Sequence, residues 1–348
     1  MAEPRAETVG SLLRSQAITS AARRGSLADQ QVLDDAMIDA VRLQEEAGLD
    51  VITDGEVRRT TWAQTPRFLD CFTPDATRTG DGCPVVTGRV RDAGRLGDLA
   101  ADYECLARYL TGRGGTPPRA KFTMPAPSYH RRYWSGERSK AAYGSAEEYL
   151  AEIRDYLREV ADSLIAIGCD YIQLDAPNYG ALCDPGTRAR LADQGRDLAA
   201  GLAFDAELDN SLFDGVTGVT TALHICRGNG SGGPADGYAA ISGELFPRLR
   251  FGRLLLDYDR ADGFESLEDV RDGTVVVLGL LTTDSDNLDD EPAIESRITE
   301  AARRKPLPEL ALSTRCGFAP VPSATPVTPA GQRAKLEMVA RVARRIWS

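Results

Sequence analysis

The feature that most narrows the fold is a rhythm. Short apolar runs rich in Val, Leu and Ile alternate eight times with helix-length amphipathic stretches. Six of the runs close on a polar cluster: Ser11, Glu56, Asp175, His224 with Cys226, Asp257, and Cys316. Continuous apolar strands separated by helices are the pattern of a parallel sheet covered on both faces. An eight-fold (β/α) barrel is the simplest closure, and barrels gather their chemistry at the C-terminal ends of the strands. A purely structural reading gives no reason for polar residues to sort to those ends. An open doubly wound sheet is the competing architecture, but no GxGxxG or GxxxxGK[ST] opens any helix.

In chain order, the pattern predicts strands at Glu7–Ser11, Val51–Glu56, Ala120–Pro125, Tyr171–Asp175, Val216–Cys226, Leu254–Asp257, Thr274–Leu280 and Ala311–Cys316. It predicts helices over about 27–47 (stopped by Gly48), 98–110, 146–167, 187–207, from Ala235, near Leu267, and over 292–303 and 330–346. Ser145 with Glu148 three residues on reads as a capping box. The Gly-, Pro- and Thr-rich stretch 72–97 reads as a surface hairpin inserted in a βα connection, and 126–134 as a mobile loop. Nothing in the composition divides the chain, so one α/β domain over 1–348, a (β/α)8 TIM barrel, is expected.

The 348 residues carry a net charge of −11, which argues against nucleic acid or an anionic membrane as partner. No apolar run reaches the ~20 residues of a membrane span. The first residues lack a secretory core, so a cytoplasmic location is expected. Seven cysteines without tight spacing do not form a disulfide framework. A reducing compartment leaves Cys226 and Cys316 available as thiolates, and the other cysteines read as packing residues.

His224-Ile225-Cys226 is the most specific single element. Residues two apart on a strand face the same side, so imidazole and thiol converge, and that ligand pair favours zinc over magnesium or calcium. A buried histidine beside a buried cysteine gives the same three letters. Asp257 and Cys316, ending their own strands, are further possible ligands.

Taken together, Thr8-Val9-Gly10-Ser11, Asp54-Gly55-Glu56, Gln173-Leu174-Asp175-Ala176-Pro177, His224-Ile225-Cys226, Asp257 and Arg315-Cys316-Gly317 resemble, in order, the catalytic barrel of cobalamin-independent methionine synthases. The folate-binding N-terminal barrel of that family is missing, so the chain resembles the short single-barrel zinc thiol alkyltransferases. The resemblance implies Zn2+ held by His224, Cys226 and Cys316, with Asp257 standing where the family has glutamate. With one methylene fewer, Asp257 is expected to make a long fourth bond or none. The resemblance also implies that Glu56 and Asp175 hold a substrate ammonium, and that Gly10 and Ser11 hold its carboxylate.

Two departures fall on the donor side. Asp175-Ala176 replaces two adjacent acids. The loop 281–286 has no histidine to protonate a pterin, and the pterin-stacking tryptophan position falls near Pro127. These changes weigh against a folate donor. His130 is then the candidate catalytic acid for the leaving group, with Arg58, Arg59, Arg131 and Arg132 as candidate fixed charges.

The implied activity is zinc-dependent transfer of a methyl or other alkyl group to a thiol such as homocysteine, belonging to methionine biosynthesis. The alternative within the same chemistry opens an epoxide or takes another electrophile, as a coenzyme M transferase does. A sulfonate thiol would need an arginine where the acidic pair stands. A zinc hydrolase and a non-catalytic zinc or thiol binder are the remaining readings, and two cysteine ligands count against the hydrolase. The partners expected are a small thiol and an alkyl donor, and the sequence leaves the oligomeric state open.

Overall fold

The computed structural model describes residues 3–24, 26, 28–75, 83–94, 96–111, 117–228, 237–321 and 326–348. Its strands are β1 Ala6–Glu7, β2 Val51–Ile52, β3 Phe72–Thr73, β4 Val85–Val86, β5 Arg119–Ala120, β6 Phe122–Pro125, β7 Tyr171–Asp175, β8 Thr220–Ile225, β9 Arg253–Asp257, β10 Val275–Leu281 and β11 Leu310–Thr314. Nine of them form one sheet in the order β5-β2-β1-β11-β10-β9-β8-β7-β6, with every pairing parallel. β5 and β6 are one strand interrupted at Lys121, whose N–H still donates to Ile52 O at 2.8 Å. β5 pairs with β2 and β6 with β7, so eight strands close into a TIM barrel. β3 and β4 form a separate antiparallel pair.

Strand parity sorts the barrel's interior into layers. At the N-terminal end lie Glu7, Lys121, Tyr171 and Arg253; above them lie Val9, Thr123, Gln173, Ala222 and Leu255; at the C-terminal end lie Asp175, His224 and Asp257, all buried. The opposite parity packs on the surrounding helices. On β8 and β9, for example, Leu223, Ile225, Leu254 and Leu256 join the larger apolar core.

The bottom layer is ionic. Lys121 Nζ donates to Glu7 Oε2 (2.7 Å) and Thr8 O (2.7 Å), and Arg253 reaches Glu7 Oε1 with Nη2 (2.8 Å) and Nε (3.1 Å). Tyr171 OH donates to Glu7 Oε2 (3.0 Å). Burial pushes the Glu7 carboxyl up, but the charges of Lys121 and Arg253 outweigh it and hold it down at about 2.

Several local expectations change. The helix over 146–166 is capped by Ser145, which accepts from Glu148 N (3.2 Å), but Glu148 reaches back to Gly144 N (2.9 Å) rather than to Ser145. The single helix expected over 187–207 is two, Pro185–Asp193 and Leu198–Ser211, because Gly195 turns left-handed (φ 70°) and Asp197 caps a new start. The stretch 126–134 is not a loose loop. Pro127–Tyr133 is a largely buried 3-10 helix, fastened by the buried Asp209, which accepts from Ser128 N (2.8 Å), Ser128 Oγ (2.6 Å) and Tyr179 OH (2.6 Å). The helix start expected at Ala235 lies outside the described residues. Among the described residues, no helix is long and apolar enough to cross a membrane.

Replacing Glu7 by Gln leaves Lys121 buried without its counter-charge and Arg253 with Glu3 alone, a loss of about 3–5 kcal/mol at pH 7. Because the folded pKa is depressed, Glu7's own contribution is complete above its unfolded value of ~4.5 and is lost as the pH falls toward about 2. Urea unfolding of parent and Glu7→Gln should therefore show a wide gap at pH 7 that closes toward pH 2. A gap independent of pH in that window would refute the assignment.

Candidate functional site

The top layer of the barrel brings three donor groups together, His224, Cys226 and Asp257, with Cys316 against Cys226. His224 Nδ1 lies 3.1 Å from Asp175 Oδ1. An ionised carboxylate can only accept, so Nδ1 carries the proton and Nε2 presents the other face of the ring. Nε2 faces Asp257 Oδ1 at 3.6 Å, and neither atom has a hydrogen-bond partner. Asp257 is aimed by its second oxygen, which accepts from Arg227 N–H at 3.0 Å. Cys226 Sγ lies 3.7 Å from Cys316 Sγ. Donor atoms of His224, Cys226 and Asp257 all fall within 4.8 Å of one another.

These spacings suit a cation. Zinc with bonds of ~2.0–2.3 Å in a tetrahedron sets donor–donor edges of about 3.3–3.8 Å. A carboxylate oxygen of Asp257 comes within 4.8 Å of the His224 and Cys226 donor atoms despite its short arm, because β8 and β9 pair in parallel with Ile225 opposite Leu256. Two buried atoms without partners are costly in any other state. Burial works against a charged imidazole, but the hydrogen bond to Asp175 and the charges of Asp175 and Asp257 outweigh it and hold His224 well above its ordinary range. The cluster favours a positive charge at Nε2, whether proton or metal. The thiols share one charge: a hydrogen bond from Cys316 lowers Cys226, and the same contact with burial pushes Cys316 well up.

A second group flanks this one. Gly55 and Glu56 are consecutive left-handed residues (φ 67° and 54°), and Glu56 is the one non-glycine with positive φ among the described residues. Such a backbone costs ~1–3 kcal/mol. It swings the Glu56 carboxylate inward against Gly10, where an added Cβ would sit 2.4 Å from Oε1. Ser11 packs on Gly317, beside Cys316, and its Oγ accepts from Ala319 N at 3.3 Å. Gly10, Ser11 and Glu56 are thus brought together. Burial first, then the charges of Asp175 and Asp54, raise Glu56 against the opposing pull of Arg59 and Arg14. Its Oε2 has no partner.

These features are those of a known family. No family model matches the chain. The uncharacterised protein YxjG of Bacillus subtilis (strain 168) is 30% identical over 369 residues, spanning 99% of this chain and 94% of that one. A vitamin-B12-independent methionine synthase structure from Listeria monocytogenes superposes with a TM-score of 0.75 at 26% identity, over 100% of this chain and 99% of the other. A 5-methyltetrahydropteroyltriglutamate–homocysteine methyltransferase of Cronobacter sakazakii is 26% identical over 80% of this chain and 35% of its own length. This chain belongs to the cobalamin-independent methionine synthase family.

Within that family barrel, His130 takes a position different from the one expected. It is fully buried, donates from Nδ1 to Ala126 O (2.9 Å) and sits between the rings of Tyr129 and Tyr133. Burial lowers it to about 4, so it is neutral near pH 7 and its one ring proton is committed to Ala126 O. The candidate arginines are also engaged: Arg58 with Asp34 and Asp102, Arg131 with Glu147 and Asp205, and Arg132 with Tyr129. Tyr238 escaped the sequence reading. Its hydroxyl donates to Ile225 O (2.9 Å) and accepts from Asp257 N (2.9 Å), tying the two ligand-bearing strands. A tyrosine in a connecting segment gives no signal for such a role.

One zinc per chain is the expected stoichiometry by metal analysis. Cys226→Ser and Cys316→Ser should each lose it on dialysis against a chelator. Asp175→Asn should keep a zinc bound about 10- to 100-fold more weakly, since it orients a ligand without being one. Full zinc in either serine variant would contradict the donor set.

Proposed function

We propose that this protein transfers a methyl or other alkyl group to the sulfur of an amino-acid thiol such as homocysteine. The observation that carries the reading is the donor cluster of His224, Cys226 and Asp257, in which His224 Nε2 and Asp257 Oδ1 face each other without hydrogen-bond partners among the described residues and Cys316 lies against Cys226. These residues would hold zinc, which when bound lowers the pKa of a coordinated thiol and so supplies a nucleophile near neutral pH.

The remaining work falls to the chain's own groups. Asp175 holds the His224 tautomer. Glu56, with one oxygen unpartnered, receives the ammonium, and Asp175 adds a second negative charge on that side. Gly10 and Ser11 face the carboxylate. Alkyl transfer then depends on holding the electrophilic carbon in line with the sulfur, where positioning alone is worth ~7–11 kcal/mol. A cavity of about 950 Å³ opens off the ends of β6 and β7, lined among others by Ser128, Tyr129, Asn178, Arg190 and Arg196. It is the proposed donor side. Its lining is largely apolar (Leu182, Leu191 and Leu202 among others), with Arg131, Arg132, Arg190 and Arg196 as its cations and Asp197 and Asp205 as its acids, and His130 does not line it.

Homocysteine should bind the zinc-loaded protein and release about one proton, measured calorimetrically in buffers of different ionisation enthalpy. Glu56→Gln should weaken that binding about 10- to 150-fold, the worth of one charge-assisted hydrogen bond, with zinc content unchanged. A screen of alkyl donors against homocysteine and amine-free thiols then tests turnover. Undiminished binding in Glu56→Gln would remove the amino-thiol reading and favour a thiol without an amino group.

A further inference from the structure

Resting on the amino-thiol reading above, we propose that Arg59 is a specificity-determining residue that positions the Glu56 carboxylate, through Thr123, to receive a substrate ammonium. Arg59 Nη1 donates to Thr123 Oγ1 at 2.9 Å, and Thr123 Oγ1 donates to Glu56 Oε1 at 2.8 Å. The direction of this chain is forced. A guanidinium can only donate, and a hydroxyl has one proton, so once Thr123 accepts from Arg59 its proton must point at Glu56. Chained hydrogen bonds of this kind polarise one another. Oε1 is thereby committed, and Oε2, buried and without a partner, is the oxygen left for a cation.

Arg59 is held through Nη1, while its buried Nε and Nη2 find no hydrogen-bond partner among the described residues. Its side chain is 2% exposed, its guanidinium lies over the Phe122 ring at 4.9 Å, and Nη1 is 3.8 Å from Glu56 Oε1. The charge balance around Glu56 explains why such a residue is needed. Asp54 on its own turn and Asp175 on β7 oppose a charged Glu56, while Arg14 from the segment after β1 and Arg59 favour it, and burial opposes it most of all. Arg58, the neighbouring cation, is turned away onto Asp34 and Asp102. Arg14 spends its hydrogen bonds on backbone carbonyls, Ala319 O and Glu56 O. Arg59 is the cation linked to the carboxylate itself.

The test is calorimetric binding of homocysteine and of 4-mercaptobutanoate, which lacks only the amino group, to zinc-loaded parent, Arg59→Met, Arg59→Lys and Thr123→Val. Infrared difference spectroscopy across pH reads the protonated carboxyl of Glu56, assigned by its loss in Glu56→Gln. Arg59→Met should weaken homocysteine about tenfold and leave 4-mercaptobutanoate within about twofold, with zinc retained. It should also move Glu56 protonation to higher pH. Arg59→Lys should recover part of both effects. Thr123→Val, a near-isosteric change that serves if Arg59→Met does not fold, should weaken homocysteine alone by about threefold. Equal weakening of both thiols, or unchanged homocysteine affinity in the variants, overturns the proposal. If the parent itself does not distinguish the two thiols, the amino-thiol reading has failed. The infrared titration then judges Arg59 separately: a shift in Arg59→Met keeps its positioning role, and no shift ends it.

Discussion

Everything at this site depends on which way alternate side chains of a strand face. On β9 the inward positions are Arg253, Leu255 and Asp257; on β7 they are Tyr171, Gln173 and Asp175. One parity therefore places an ion-paired floor, an apolar and amide middle, and a ligating rim along a single strand. A one-residue slip would send Asp257 into the helix layer and Leu256 into the metal cluster. The floor fixes the register, because Glu7 can meet both Lys121 and Arg253 only when β1, the β5–β6 strand and β9 are correctly staggered. Replacing such a layer with hydrophobic residues often stabilises a protein. Its value here lies in holding the strands to one alignment, on which the geometry of the rim then relies.

The rim gathers negative charge in a chain that is already acidic. Asp54, Glu56, Asp175 and Asp257 are all buried, with Cys226 and Cys316 among them. Desolvated carboxylates crowded together repel unless cations intervene. The chain supplies some of these: Arg59 beside Glu56, and Arg227, whose backbone N–H meets Asp257 while its side chain pairs with Asp262. Among the described residues, no side chain hydrogen-bonds His224 Nε2, Asp257 Oδ1 or Glu56 Oε2. The proposed divalent metal and substrate ammonium would supply positive charge at those two points. The electrostatics of the folded chain are thus incomplete in the manner of a binding site, not of a core.

Much of this was legible in the sequence because barrel strands are short and end where the chemistry is. The terminal positions of Asp175, His224, Asp257 and Cys316 needed only period-two counting. What counting misses is any role set by tertiary partners. Glu7, Lys121 and Arg253 look like ordinary surface charges until the barrel closes around them. Arg59 sits in an Arg-Arg pair, and only the fold turns Arg58 outward to Asp34 and Arg59 inward to Thr123. The stretch 126–134, with its exposed-looking Arg131-Arg132, read as a loop because Asp209, which fastens it, lies 81 residues away in sequence. His130 was misjudged for the same reason, since its pKa follows from burial among Tyr129, Tyr133 and Ala126.

The two sides of the site are built on different principles. The acceptor side is rigid. Glu56 sits on a strained left-handed turn, the tautomer of His224 is set by one carboxylate, and Asp257 is gripped by a backbone N–H and, through its own N–H, by Tyr238. The proposed donor side is a wide cavity lined by the segments and helices that follow β6 and β7, with Arg190 and Arg196 at its exposed edge. Connecting segments tolerate change better than strand ends do. On the proposed reading, a barrel of this kind can keep one way of activating a thiol while its donor pocket is rebuilt: Ala176 and Pro127 adjoin the lining residues Pro177 and Ser128, whereas the 281–286 stretch at the end of β10 does not line the cavity.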